Sequence, residues 1–356
     1  MKFISLLFVS AAAAFAGGFS GVFDAGWSTA YQRPDSLTKM HARLHSLGMP
    51  EVILQYGIVD GTHRYYDSEL PFGASGTTTY NNYHLFDYSL AAAKTAGNHL
   101  WLGLYYNGTD WYTPPTMAEL DTLAARNVKV IDELYTLYGT NDVIRGVYIP
   151  QEIARYYWDG LRGDATAASL VEHFLKPVTA AAQAKGWKVM AAPFYNANLE
   201  TPAVLQGFFE NLFKAGWIPD VIAVQDGIGA ADNGKGHVPL ADLGIYLRAV
   251  KVACDEYGVE FWVDTEMFAT GASGTLADEA RLYAQADTAW NVGAVNVVGY
   301  DLAVLGNAGL DSLEIWQAAH KTTAVAPPAS PRVQRKSTVP LHYWNLNGAR
   351  VPHPER

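Results

Sequence analysis

The residues best suited to chemistry in this sequence are acids at the ends of short apolar runs. Glu152 lies near the end of "IRGVYIPQEI" and Glu266 near the end of "EFWVDTEMF". If the second run is a strand, its side chains alternate, so Trp262, Asp264 and Glu266 share one face while Phe261, Val263 and Thr265 share the other. Two carboxyl groups flanking a glycosidic bond suffice to cleave it: one, protonated, assists the leaving oxygen, and the other, ionised, attacks carbon or activates water. The ends of the remaining runs, or the stretches just after them, carry Asp24, Trp27, Tyr56, Tyr105, Trp111, Gln151, Tyr195, Asn196, Gln225, Asp226 and Tyr300. Acids, amides and rings dominate, and basic residues are nearly absent. A phosphorylated or carboxylated substrate would find little to pair with. A neutral carbohydrate would find rings for its C–H faces and polar partners for its hydroxyls.

Such residues must be positioned by elements, and the runs predict which. Strand-like stretches are "SGVFDAGW" (20–27), "EVILQYGIVD" (51–60), "HLWLGLYYN" (99–107), "IRGVYIPQEI" (144–153), "KVMAAPFYN" (188–196), "DVIAVQDGIG" (220–229), "EFWVDTEMF" (260–268) and "VNVVGYDL" (295–302). Amphipathic stretches lie between them, several closing on a glycine suited to a helix C-cap: Gly48, Gly97, Gly186, Gly216 and Gly258. Eight βα units in roughly 300 residues predict an α/β fold, a single (β/α)8 TIM barrel, with the site at the C-terminal strand ends. A doubly wound dinucleotide fold would need Gly-x-Gly-x-x-Gly after the first strand, and "FDAGWSTA" lacks it. On this fold the fourth and seventh strands lie across part of the mouth from one another, which pairs Glu152 with Glu266. Asp264, one step below Glu266, would raise its pKa by like charge or hold it through a shared network. Asp226 is the substitute acid. Tyr148, Phe194 and Trp262 fit core layers, whereas Tyr156, Tyr157 and Trp158 fall in a loop, where burial explains them less well.

With 356 residues, 49% hydrophobic and 17% charged, the chain can bury a large core. Its net charge of −10 argues against nucleic acid or anionic lipid as a partner. Lys2, the run "FISLLFVSAAAAF" and the small-x-small site Ala14-Phe15-Ala16 predict a signal peptide over 1–16, hence a secreted protein with no transmembrane segment in the mature chain. The barrel is expected over 19–322, a Pro/Ser-rich linker over 323–340 and a tail over 341–356. Cys254 is the sole cysteine, which rules out an internal disulfide and suits a small buried hydrophobe. No organic cofactor and no metal are expected, and a monomer is. "GAADNGKG" ends in Gly236 where a phosphate loop needs Ser or Thr, and "HARLH" places His41 and His45 on what reads as a solvated helix face.

The strand-end positions carry a resemblance. Many retaining glycoside hydrolases on this fold place an acid/base glutamate after the fourth strand and a nucleophile at the end of the seventh, which implies those roles for Glu152 and Glu266. Those enzymes usually have Asn before the first glutamate, and here it is Gln151. "YIPQEI", "APFYN", "AVQDGIG" and "WVDTEMF" resemble, in order and spacing, the strand ends of a bacterial barrel family of unknown function related to glycoside hydrolases. "LHYWNLNGARVPHPER" resembles a type IX secretion sorting tail. The function these features imply is cleavage of an oligo- or polysaccharide. A catalytically silent carbohydrate-binding barrel is one alternative, and a metal-assisted hydrolase built on Asp24, Asp226 and Asp264 another.

Overall fold

The computed structural model describes residues 18–26, 33–72, 84–108, 115–158, 166–230, 238–270 and 272–320. All belong to a unit that ends at Ala324. The expected signal peptide, the linker from 323, the tail, Trp27, Trp111 and all of "GAADNGKG" except its first two residues lie outside the described residues.

Among the described residues eight parallel strands close into a barrel in sequential order: β1 (Gly21–Asp24), β2 (Glu51–Leu54), β3 (His99–Gly103), β4 (Ile144–Ile149), β5 (Lys188–Ala191), β6 (Val221–Gln225), β7 (Glu260–Glu266) and β8 (Asn296–Tyr300), with β8 pairing back to β1. The helices that follow them in turn are α1 (Pro34–Ser46), α2 (Leu85–Ala96), α3 (Met117–Tyr138), α4 (the helical run 167–183), α5 (Pro202–Lys214), α6 (Leu240–Tyr257), α7 (Glu279–Val292) and α8 (Leu302–His320). The predicted (β/α)8 barrel is therefore the observed one.

Period-two alternation sorts the core into two layers. Phe23, Ile53, Trp101, Tyr148, Met190, Ala223, Trp262 and Val298, one from each strand, fill the barrel interior. Their sequence neighbours, among them Val22, Leu54, Leu102, Val147, Val224, Phe261 and Val263, face outward under the helices. Trp101 and Trp262 meet edge to face with ring centroids 5.7 Å apart. Each indole N–H donates to an acid at the N-terminal end of a strand, Trp101 to Glu51 at 3.0 Å and Trp262 to Glu260 at 3.3 Å.

Local chemistry sets the helix boundaries. Thr116 and Glu119 form a capping box at the start of α3, Thr201 precedes Pro202 at the start of α5, and Asp278 caps α7. Gly97 and Gly258 end α2 and α6 with φ of 82° and 69°. Within α4, Val171–Leu175 form a π turn just before Pro177. Proline offers no N–H and crowds the carbonyl one turn back, and the wider turn accommodates both effects.

Two long apolar runs are split by the rim. Ile58–Val59 leaves β2 and Tyr105–Tyr106 leaves β3 to form a small sheet with His63–Arg64, and Phe268–Ala269 pairs with Ala272–Leu276 in a hairpin after β7. One outer-ring expectation needs correction. His41 is buried, with the Asn98 amide donating to its carbonyl at 2.9 Å and lying 3.2 Å from its ring Nδ1, while His45 is exposed. Burial pushes the His41 pKa down to about 4. The helix periodicity is sound, but α1 packs on α2 through the His41 face.

Candidate active site

β7 carries the centre of the site. Its register sets Asp264 level with Gln225 of β6, and Glu266 level with Tyr300 of β8. Both acids are buried on the face that Trp262 presents to the interior, as alternation predicts. The Glu266 carboxylate accepts the Ala230 N–H at 2.5 Å and also the N–H of Gly229, both from the turn that follows β6. Asp264 Oδ1 is buried with no hydrogen-bond partner among the described residues.

Asp226 organises that turn and is fully buried. Its Oδ1 accepts the N–H of Ile228 at 3.2 Å and of Glu266 at 3.3 Å, and its Oδ2 accepts the Gln285 amide at 2.6 Å. Arg281, one turn before Gln285 on α7, donates to the carbonyls of Glu266 at 2.9 Å and Phe268 at 2.6 Å. Neither Gln285 nor Arg281 was among the candidates. The available signal was a pair of polar residues four apart, Arg281 and Gln285, flanked by Leu282, Ala286 and Ala289, which α7 buries.

Glu152 lies three residues past β4 and is half-buried. Its charge acts on Tyr56, Tyr148, Tyr300, Asp264 and Glu266, which gathers those residues at one mouth. Gln151 is buried and donates to the Tyr105 carbonyl at 2.8 Å, so its amide ties β4 to the rim strand at Tyr105–Tyr106. Tyr300 donates to Gln55 at 3.1 Å, and Tyr56 stacks on Tyr106 with centroids 5.2 Å apart. Asp24, at the end of β1, accepts the Gly26 N–H at 2.9 Å. Gln225 is half-buried and donates to the Ala192 carbonyl at 3.0 Å.

Other candidates are taken up in packing and hydrogen bonds with the protein around this group. Tyr105 packs edge-on against Phe72, and its hydroxyl accepts from Arg126 of α3 at 2.8 Å. Adjacent strand residues face opposite ways, and of the two tyrosines it is Tyr106 that joins Tyr56. Tyr195 stacks on Tyr246 of α6 and donates to the Asp226 carbonyl at 3.1 Å. Asn196 closes a turn in which its N–H donates to Glu200 at 2.7 Å and its side chain accepts from the Asn198 N–H at 3.0 Å. Trp158, expected in a loop, is buried in a short helix, Arg155–Trp158.

The electrostatics follow from burial and from like charges. Burial first, then Asp226, Glu266, Asp301 and Glu152, push Asp264 well above the carboxylate range. Burial and then Asp226 raise Glu266 to about 8, against the two N–H groups that favour its charged form. Burial lifts Asp226 to about 6, opposed by Gln285, by the Ile228 and Glu266 N–H groups and by the charge of Arg281. Among the described residues no group of three or more His, Cys, Asp or Glu side chains is placed to hold a metal ion, so Asp24, Asp226 and Asp264 do not form a ligand set. Cys254 is buried on α6, and burial pushes its thiol up. No helix among the described residues is long and apolar enough to cross a membrane.

A family model described as a domain of unknown function, DUF4434, matches residues 35–307. Among solved structures, a protein of Bacteroides thetaiotaomicron provisionally assigned as an alpha-L-fucosidase superposes with a TM-score of 0.66 at 17% identity, over 91% of this chain and 98% of that one. A glycoside hydrolase family 5 protein of Bacteroides vulgatus gives a TM-score of 0.52 at 12% identity, over 81% of this chain and 59% of that one. At these identities the likeness is one of fold. No curated protein matches the chain in sequence.

Proposed function

This chain belongs to the DUF4434 family, a domain of unknown function, and from that footing we propose that it is a glycoside hydrolase acting on an oligo- or polysaccharide, with Glu152 and Glu266 as its catalytic pair. The observation that carries this reading is the buried Glu266 carboxyl at the mouth, level with Tyr300 and within electrostatic reach of Glu152, whose charge also acts on Tyr300 and on Tyr56, the ring stacked on Tyr106. Glycoside hydrolases recur among proteins that share this fold, which adds an analogy to the geometry.

In the retaining form of the reaction Glu152 protonates the leaving oxygen, Glu266 attacks the anomeric carbon to form a glycosyl ester, and Glu152 then takes a proton from the water that releases the sugar. The N–H groups of Gly229 and Ala230 favour the Glu266 carboxylate and would fix its orientation. A second reading exchanges the roles. Glu266 is raised to about 8 and so holds its proton at neutral pH, which is the state a general acid needs.

The test is release of reducing ends from a polysaccharide and aryl-glycoside panel by the wild type beside Glu152→Gln and Glu266→Gln. Each variant should lose on the order of 10²–10⁴-fold in kcat, and sugar binding without turnover by the wild type would turn the reading into the silent binding barrel. Azide settles the roles: the variant lacking the nucleophile is rescued to a glycosyl azide of inverted configuration, the variant lacking the acid/base to one of retained configuration. We also infer export, which the basic and apolar start of the chain supports. Intact mass of the exported protein, whether periplasmic, at the cell surface or extracellular, and expected to begin at Gly17, checks it.

A further inference from the structure

We propose that Asp226 is a positioning residue for Glu266 and that Gln285 is its anchor: through one carboxylate α7 is tied to the β6 turn and to the end of β7, and the tie aims the N–H groups of Gly229 and Ala230 at Glu266. This deepens the hydrolase reading and rests on it for its catalytic meaning, though not for its test. Asp226 is fully buried, and both its oxygens accept from the protein itself. One of its oxygens accepts two N–H groups, from Ile228 and Glu266, that belong to the two segments being joined. The other accepts the Gln285 amide at 2.6 Å. The same amide lies 3.5 Å from the Glu266 carbonyl, and the Asp226 N–H donates to the Asp264 carbonyl at 2.9 Å, so the clamp closes on both acids of β7.

The charge of Asp226 also opposes ionisation of Glu266, while the turn it shapes favours it. Glu266 is faced by Asp264 on its own strand, Asp226 from β6, Glu152 from after β4, Tyr195 from after β5 and Arg281 from α7. Of these, Asp226 is the acid whose hydrogen bonds also set the Glu266 geometry. Its two effects separate by substitution. Asp226→Asn keeps the acceptor for both N–H groups and removes the charge. Its new amide faces Gln285, whose Oε1 is buried without a partner among the described residues and can turn to accept it. Gln285→Met keeps volume and removes the donor.

Carboxyl carbons in 13C-labelled protein report both titrations, with Glu266 assigned by Glu266→Gln. In Asp226→Asn the Glu266 midpoint should fall by about one pH unit, the size of a like charge removed at close range. In Gln285→Met the Asp226 midpoint should rise, since a hydrogen bond to its charged form is lost. A folded variant whose midpoint stays at the wild-type value overturns the proposal, and either variant alone suffices to do so. These titrations need no substrate, so an inert wild type would sink the hydrolase reading and leave them standing. Where turnover is found, the limb of the kcat/KM profile that tracks Glu266 should move with its midpoint in Asp226→Asn. A change in KM alone, with that limb fixed, would make Asp226 a binding residue and overturn the proposal.

Discussion

Asp264 shows what the site costs. It is a carboxylic acid sunk among four other acids, with one oxygen unpartnered among the described residues. Its folded-state pKa lies above the unfolded value, so the folded protein holds a proton that the unfolded chain releases, and folding is penalised increasingly as pH rises. Asp264→Asn should therefore stabilise the protein at pH 7.5, by about 1.4 kcal/mol for each pH unit over which the folded state alone keeps the Asp264 proton, with the gain shrinking toward pH 4. Urea titration at both values checks it, and a loss of stability at pH 7.5 would show that the carboxylate is compensated. At this scale the sequence was readable wherever a strand was long. The shared face of Trp262, Asp264 and Glu266 follows from alternation alone. Tyr105 was not readable against Tyr106, because a two-residue rim strand carries no period to show which ring turns inward. Gln285 was harder still, since its partner Asp226 lies 59 positions away.

Elements place these residues by close approach, and Gly229 marks one such point beside Glu266. A Cβ there would lie 2.8 Å from the Phe268 carbonyl oxygen and 3.0 Å from the Glu266 Cβ. Gly229→Ala should therefore push the turn off Glu266 and lower kcat at least tenfold with the far-ultraviolet circular dichroism unchanged; wild-type kcat would show that the turn can give way. The barrel strands and the C-cap glycines were legible because both are local signals. The rim sheet was not, because the runs around "LQYGIVD" and "GLYYN" continue the apolar pattern past the point where the chain leaves the barrel. His41 was misplaced for a related reason: periodicity finds a helix face but does not say that a second helix covers it. Trp158 was misplaced because a one-turn helix leaves no periodic trace.

For the whole molecule, the titrations of its buried groups combine. His41 is held neutral, so between about pH 6.5 and 4 the unfolded chain takes up a proton the folded one refuses, and acidification through that window costs stability. The acids act in the opposite sense: Asp226, Glu266 and Asp264 keep protons in the folded state above the pH at which the unfolded chain loses them. Above pH 6.5 the histidine drops out and only the acids remain. Stability should thus fall from pH 6.5 to 8, by up to about 1.4 kcal/mol per pH unit for each proton still held. Denaturation midpoints at pH 6.5, 7.25 and 8 test this; a flat or rising series would mean that the acids are already ionised in the folded protein. The barrel as a whole was legible because eight βα units of similar length leave few other ways to bury so many apolar runs.

The Trp101–Trp262 pair has an optical consequence. Both indoles sit in the barrel interior, ring edge to ring face, with their N–H groups tied to acids at the end of the barrel opposite the mouth. Shielded from water, they should emit at short wavelength and shift to the red only when the strands part. They form an intrinsic gauge of barrel closure that a sugar resting above Asp264 would leave undisturbed.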